Sequence, residues 1–172
     1  DFDTLCHLIQ RYREAISCFV CMSTYEHLDS ALKKLAGLGV EISSHAYIHH
    51  VYHSYRQNKR NIEKAEVLLK RYVPEVVGFA GPHGKWHPTL ERVLEERGYR
   101  YSSEFGLDYD NFPFHLTRRH DQHHVLHVPT HPVCEGIFLE RHGYDEEMID
   151  QYFGAVIDFY SKKQMPIFLY GH

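Results

Sequence analysis

The chain of 172 residues contains no apolar run approaching the roughly 20 residues that a membrane-spanning helix requires. It has no excess of positive charge. Its 19 Lys and Arg against 23 Asp and Glu give a net charge of -4, which leaves no electrostatic case for nucleic acid or an anionic membrane surface. Cysteine is scarce, with four residues: Cys6, Cys18, Cys21 and Cys134. One C-x-x-C without a second does not make a four-thiolate zinc site, and four thiols are too few for a secreted disulfide scaffold. Cys18 and Cys21 bracket Phe19-Val20 in a β-prone run, so buried free thiols are expected, which fit a reducing compartment better than an oxidising one. Repeats and low-complexity segments are absent. An initiator Met is missing too: the chain opens Asp1-Phe2-Asp3 and closes Gly171-His172, as expected of a single domain, 1–172, cut from a longer protein.

What is abundant is histidine, with 16, in a chain that is 43% hydrophobic and 14% aromatic and long enough to bury a sizeable core. The most informative stretch is 41–53, EISSHAYIHHVYH. His45 and His49 follow a short β-prone segment, and four-residue spacing on a helical turn would stack both imidazoles on one face. Neutral imidazole is the commonest protein ligand for zinc-like cations. At the start, Asp1 and Asp3 flank Phe2, and on an extended segment both carboxylates would point the same way.

The remaining pattern alternates strands and helices. Residues 15–22 read as a core strand, and Leu28, Leu32 and Leu35 recur at helical spacing up to the stop signals Gly37 and Gly39. Val40-Glu41-Ile42 makes the next strand. A helix from about Asn58 to Tyr72 places Ile62, Ala65, Leu69 and Tyr72 on one face. Strand Val76–Phe79 leads into a Gly/Pro-punctuated loop, residues 80–86, and Pro88 opens a helix that Gly98 ends. Strand Tyr99–Phe105, an irregular His-rich stretch 108–124, and strand Val125–Val128 follow. A last helix, Asp145–Lys163, is expected to turn Met148, Tyr152, Val156 and Phe159 inward, and Pro166–Tyr170 closes the chain as a strand. Such alternation predicts parallel strands in an α/β fold, with functional residues gathered at the C-terminal strand ends.

At those strand ends the chain resembles the polysaccharide deacetylases, the NodB-homology family (carbohydrate esterase family 4). Asp1-Phe2-Asp3 is similar to the family's aspartate-pair motif. Ser44-His45-Ala46-Tyr47-Ile48-His49 resembles S-H-[ST]-x-x-H, with Ala46 in the hydroxyl position. Phe79-Ala80-Gly81-Pro82-His83-Gly84 resembles R-x-P-x-G, and Phe168–His172 looks like the closing strand that ends in a catalytic histidine. The resemblance spans nearly the whole chain and implies a distorted (β/α) barrel of about seven parallel strands.

It further implies a metal-dependent hydrolase that removes N-acetyl groups from a sugar or polysaccharide and releases acetate. Asp3, His45 and His49 would hold one divalent metal, Zn2+ above all; His50 or His53 is an alternative to His49. Asp1 would be the general base, His172 the general acid, and the backbone N–H of His83 an oxyanion donor. Trp86, Pro82, Tyr109 and His131 would face the carbohydrate, and Asp108 would support a catalytic histidine. The family's arginine position holds Ala80, and Lys85 and Arg118 are candidate substitutes. That departure keeps open a catalytically weakened domain that binds sugar and metal, and the metal site alone also suits another non-peptide C–N amide hydrolase. His120, His123, His124 and His127 are expected on a solvated loop.

Overall fold

The computed structural model describes residues 2–105, 112–118 and 121–171. Helix α1 (Phe2–Tyr12) is followed by a 3-10 turn and strand β1 (Ser17–Val20). Then come α2 (Met22–Tyr25), α3 (Asp29–Gly37), β2 (Glu41–Ser44), α4 (Tyr55–Leu69), β3 (Gly78–Ala80), α5 (Pro88–Arg97) and β4 (Tyr101–Phe105). A hairpin of β5 (Phe114–Arg118) and β6 (Asp121–Thr130) precedes α6 (Glu135–Ile137), a π-turn (Phe138–His142) and α7 (Glu146–Lys162).

The six strands form one sheet in the order β1-β2-β3-β4-β6-β5. Every neighbouring pair is parallel except β5 with β6. The α/β class expected from the alternating pattern is therefore observed, with six strands among the described residues. The antiparallel β5 arises inside the stretch expected to be irregular. The closing strand is not part of the sheet: residues 166–171 have no regular secondary structure and are tied by His131 N–H to the Phe168 carbonyl (2.8 Å).

Register assigns the two faces, because partnered residues in a parallel sheet share a side and side chains alternate along each strand. Val20, Ile42, Phe79 and Val125 are buried on one face, together with Ile62, Ala65 and Leu69 of α4 and Leu90, Val93 and Leu94 of α5. The helix period set for α4 is thus the packing face. The opposite face carries Phe19 and Tyr101, edge to face at 6.1 Å, and Glu41, which accepts from Ser43 Oγ (2.6 Å) and the Tyr101 hydroxyl. Gly78 is required there because a Cβ would fall 2.2 Å from the Tyr101 ring.

Two termini differ from expectation. Asp1-Phe2-Asp3 does not lead into an extended segment: residues 2–12 are helical, with Cys6 and Ile9 buried and Asp3 in the first turn, where a carboxylate is favourable. In α7 no described residue is buried, and Met148 (51% exposed) and Phe159 (55%) face outward rather than inward. Its inner side is Tyr152 and Phe153, which pack on Phe138 and His131. Cys6, Cys21 and Cys134 are buried and Cys18 half-buried, all as free thiols. No described helix is long and apolar enough to cross a membrane.

Candidate active site

The segment after β2 is an irregular loop, not a helical turn, yet it brings the two histidines together. His45 N–H continues the sheet by donating to the Val20 carbonyl (3.0 Å). Ala46 then adopts φ 66°, a left-handed conformation, with no exposed surface, and this reversal folds residues 47–53 back over the strand end. Asn61 of α4 clamps the fold-back: Ile48 N–H donates to its Oδ1 (2.7 Å), and its Nδ2 donates to the carbonyls of Ile48 (2.9 Å) and His50 (3.1 Å). Three residues earlier, Asn58 does the same for Tyr52, accepting from its N–H (2.8 Å) and donating to its carbonyl (2.7 Å). Both asparagines are buried, and they lie in a helix, away from the strand-end loops whose residue pattern is recognisable in the sequence.

The two imidazoles meet at their Nε2 atoms, 2.8 Å apart. His45 Nδ1 lies 2.9 Å from the Ala80 carbonyl. A carbonyl only accepts, so Nδ1 carries the proton and Nε2 of His45 presents its lone pair, the tautomer of a metal-ligating histidine. Two nitrogens on one tetrahedral cation at about 2.0–2.1 Å would stand about 3.3 Å apart, so the rings, now joined by a hydrogen bond from His49 Nε2–H to His45 Nε2, would separate by about 0.5 Å to share a metal. The His45 tautomer fits metal ligation, and the spacing lies close to what a shared cation requires.

The next loop completes the cluster. Gly81 N–H donates to the Ser103 carbonyl (2.8 Å) at the end of β4, and buried Pro82 starts a single 3-10 turn, Pro82–Gly84. His83 sits in that turn at φ 59° and turns its ring edge-on to His49, centroids 4.5 Å apart. Gly84 follows at φ 61°, and a Cβ there would lie 2.4 Å from the Phe105 ring. The close turn thus depends on Gly84 having no side chain.

Other expected site residues lie elsewhere. Asp3 is on the exposed side of α1, ion-paired to Lys34 Nζ at 2.5 Å, which holds its carboxyl below the usual range. It is not a partner of His45 and His49, and no described group of three or more His, Cys, Asp or Glu residues is arranged to hold a metal. The helix that begins at Phe2 puts Asp3 in its first turn rather than at the end of a strand. His131 packs on α7, with Nε2 3.3 Å from the Tyr152 hydroxyl, and its Nδ1 accepts from Val133 N–H (3.2 Å). Asp1, His172, Asp108, Tyr109 and His120 lie outside the described residues, as do the side chains of Arg118 and His123.

A second cluster was missed altogether. His127 is not on a solvated loop but inside β6, with its side chain 2% exposed. Its Nδ1 hydrogen-bonds Glu104, whose other oxygen accepts from Ser102 Oγ (2.7 Å). Its Nε2 lies 3.2 Å from Glu91 Oε2, in ion-pair range though not aligned as a hydrogen bond. Trp86 Nε1–H donates to the same Glu91 oxygen (3.1 Å), and Phe114 stacks on the imidazole, centroids 5.2 Å apart. Burial works against a charged imidazole, but Glu104 and Glu91 outweigh it and push the His127 pKa up to about 9. The signal was present as a period-two alternation, Val125, His127, Pro129, in an apolar strand.

The family model for polysaccharide deacetylase matches residues 2–102, more than half of the chain. The chain belongs to the polysaccharide deacetylase family. No curated protein matches it. Among solved structures it resembles a Pseudomonas aeruginosa PAO1 protein assigned to the polysaccharide deacetylases, at 20% identity and a TM-score of 0.76, covering 98% of this chain and 57% of that one. It also resembles PuuE allantoinase (18% identity, TM-score 0.71, 96% and 57% covered). A third likeness is BA3943 of Bacillus anthracis, described as a CE4 family pseudoenzyme (13% identity, TM-score 0.53, 57% and 36% covered). The chain spans little more than half the length of the first two, and likeness at these identities concerns the fold alone.

Proposed function

We propose that this chain carries two metal-binding histidines of a deacetylase that hydrolyses N-acetyl groups on an N-acetylated sugar or polysaccharide and releases acetate. The observation that supports this most is the meeting of His45 Nε2 and His49 Nε2 at 2.8 Å, with the His45 tautomer set by the Ala80 carbonyl. These residues would hold one divalent metal, Zn2+ by the nitrogen donors, whose chemistry when bound is to polarise the acetamide carbonyl and acidify water.

The chain's own groups supply the rest of the proposal. Asn58 and Asn61 hold the histidine loop so that little reorganisation is needed on binding. The backbone N–H of His83, in a turn fixed by Pro82 and Gly84, serves as the donor to the developing oxyanion. Asp1 as general base and His172 as general acid, with Pro82, Trp86, Tyr109 and His131 toward the carbohydrate, complete the reading. Asp3 would serve as the third ligand only on leaving Lys34, its partner in this structure.

A second reading is favoured by one residue. Ala80 offers only a methyl group where the family pattern has an arginine that orients the base. A domain that keeps metal and sugar but turns over slowly follows from that loss. The test is elemental analysis of purified protein reconstituted with Zn2+, beside a His45→Ala/His49→Ala variant, followed by acetate release from N-acetylglucosamine oligomers. About one equivalent of metal, lost in the variant, is expected. A protein that takes up no metal overturns the proposal, and metal binding without acetate release selects the second reading.

A further inference from the structure

Helix α4 sorts its charges by side. Glu66, on the buried side, is held by Arg97 Nη2 (2.8 Å) and Lys70 Nζ (2.5 Å), and Glu63 faces Arg97 at 3.8 Å. Lys59 turns to Glu96 on α5 (3.9 Å). On the solvent side Arg56, Arg60 and Lys64 are exposed and follow one another at four-residue intervals, which stacks them in one row. Arg56 and Arg60 have no ion pair or hydrogen bond among the described residues. We propose that this row binds an acidic glycan, a polysaccharide bearing carboxylates at intervals along its chain.

Spacing and charge density select that class. Successive cations advance by about 6 Å, and the whole row by about 12 Å, along the helix axis. Duplex nucleic acid carries one charge per roughly 1.7 Å of its own axis, a density that three cations leave mostly unanswered on a chain whose net charge is -4. A glycan with a carboxylate on every second sugar brings few charges, which a short row can match. One exposed ion pair is worth little, but several made by one strand at once add up to useful affinity.

The row also runs beside the histidine loop. Asn58 and Asn61, on the same turns of α4, hold residues 48–52 against the helix. At the row's end Lys64 Nζ lies 3.4 Å from the centroid of the Tyr47 ring. Tyr47, whose hydroxyl donates to Glu26 (3.3 Å), stands between His45 and His49 in the chain. A glycan strand laid along the row therefore passes next to the loop that presents both imidazoles. That the strand is also the substrate rests on the deacetylase reading; its binding does not.

The chain, held in chelator so that no metal contributes, is titrated by NMR in about 50 mM salt with a hyaluronan hexasaccharide, whose glucuronates alternate with N-acetylglucosamine. The N-acetylglucosamine hexamer, neutral and of equal length, and a short DNA duplex are titrated in parallel. Hyaluronan is expected to saturate in the millimolar range or below, at least about tenfold tighter than the neutral hexamer, and to weaken several-fold at about 200 mM salt. Arg56→Gln/Arg60→Gln/Lys64→Gln, exposed changes that keep helix propensity, is expected to weaken it about tenfold. Arg11→Gln/Lys162→Gln/Lys163→Gln, the same loss of charge elsewhere, is expected to leave it unchanged. Equal binding of the neutral hexamer, or undiminished binding by the α4 variant, overturns the proposal. DNA binding of equal or greater strength that the α4 variant loses assigns the row to nucleic acid and overturns it too. Hyaluronan binding without acetate release upholds the row and removes only the substrate clause, whereas acetate release without hyaluronan binding overturns the row and leaves the deacetylase reading standing.

Discussion

Raising the pH from 7 to 9 should destabilise the fold through His127. Its imidazole is pushed up to about 9 when folded, against an ordinary value of 6.5. A base whose folded pKa is raised contributes stability that is complete below the unfolded value and lost as pH climbs through the folded value. The difference corresponds to about 3 kcal/mol at most, of which about 2 kcal/mol disappears between pH 7 and pH 9. Urea unfolding at closely spaced pH values measures it, and an upper limit near pH 9 separates it from other groups. Tyr99, raised by burial, and Tyr101, raised by burial and by Glu41, lose their contribution only above the ordinary tyrosine value of 10.0. Cys18, raised by burial, adds its own loss only around its ordinary value of 9.0. An NMR titration of the His127 ring gives the pKa independently. Stability that stays flat from pH 7 to 9, or a ring that titrates near 6.5, would refute the charge arrangement argued from Glu91 and Glu104.

Asn61→Ala removes three hydrogen bonds that fix residues 48–50 and should cost about 2–3 kcal/mol in urea unfolding. The same variant should lower Zn2+ affinity about 10- to 100-fold in a competition assay, as loss of support to a ligand loop does. Asp3→Asn should leave metal stoichiometry and the melting temperature nearly unchanged, since its partner is Lys34 at the surface; loss of metal would restore Asp3 as a ligand. Gly84→Ala should lower stability by at least about 1–3 kcal/mol, because φ 61° is strained for alanine and Phe105 must move, and a melting temperature equal to wild type would contradict this. Chelation of a Zn2+-loaded sample should lower the melting temperature by mass action, and the His45→Ala/His49→Ala variant should show no such drop.

Much of this was legible because local pattern and packing agree. Ile62, Ala65 and Leu69 recur at helical spacing and are the apolar residues that α4 buries, beside Asn58, Asn61 and Glu66. Pro88 and Gly98 bound α5 as their backbone chemistry dictates, with His87 capping its start by accepting from Thr89 N–H. The histidine pair stood out by spacing and strand-end position, although a loop held by asparagines, rather than a helical turn, achieves the convergence. The errors share a cause in long-range contact. An extended start was expected at Asp1-Phe2-Asp3, whereas residues 2–12 form a helix that buries Cys6 and Ile9. His127 looked solvated because its partners, Glu91 and Glu104, are 36 and 23 residues away. The apolar positions of α7 followed helical period, but period names a face without naming what covers it.

The hydrogen bond from His45 to Ala80 bears on what residue 80 can be. The acceptor is main-chain, so the angle of the imidazole is encoded by the path of β3 and not by the identity of residue 80. Other side chains at this position are compatible with the same ring orientation. In the proposed reading, metal retention and catalytic rate would then be separable traits, set by different atoms of one residue.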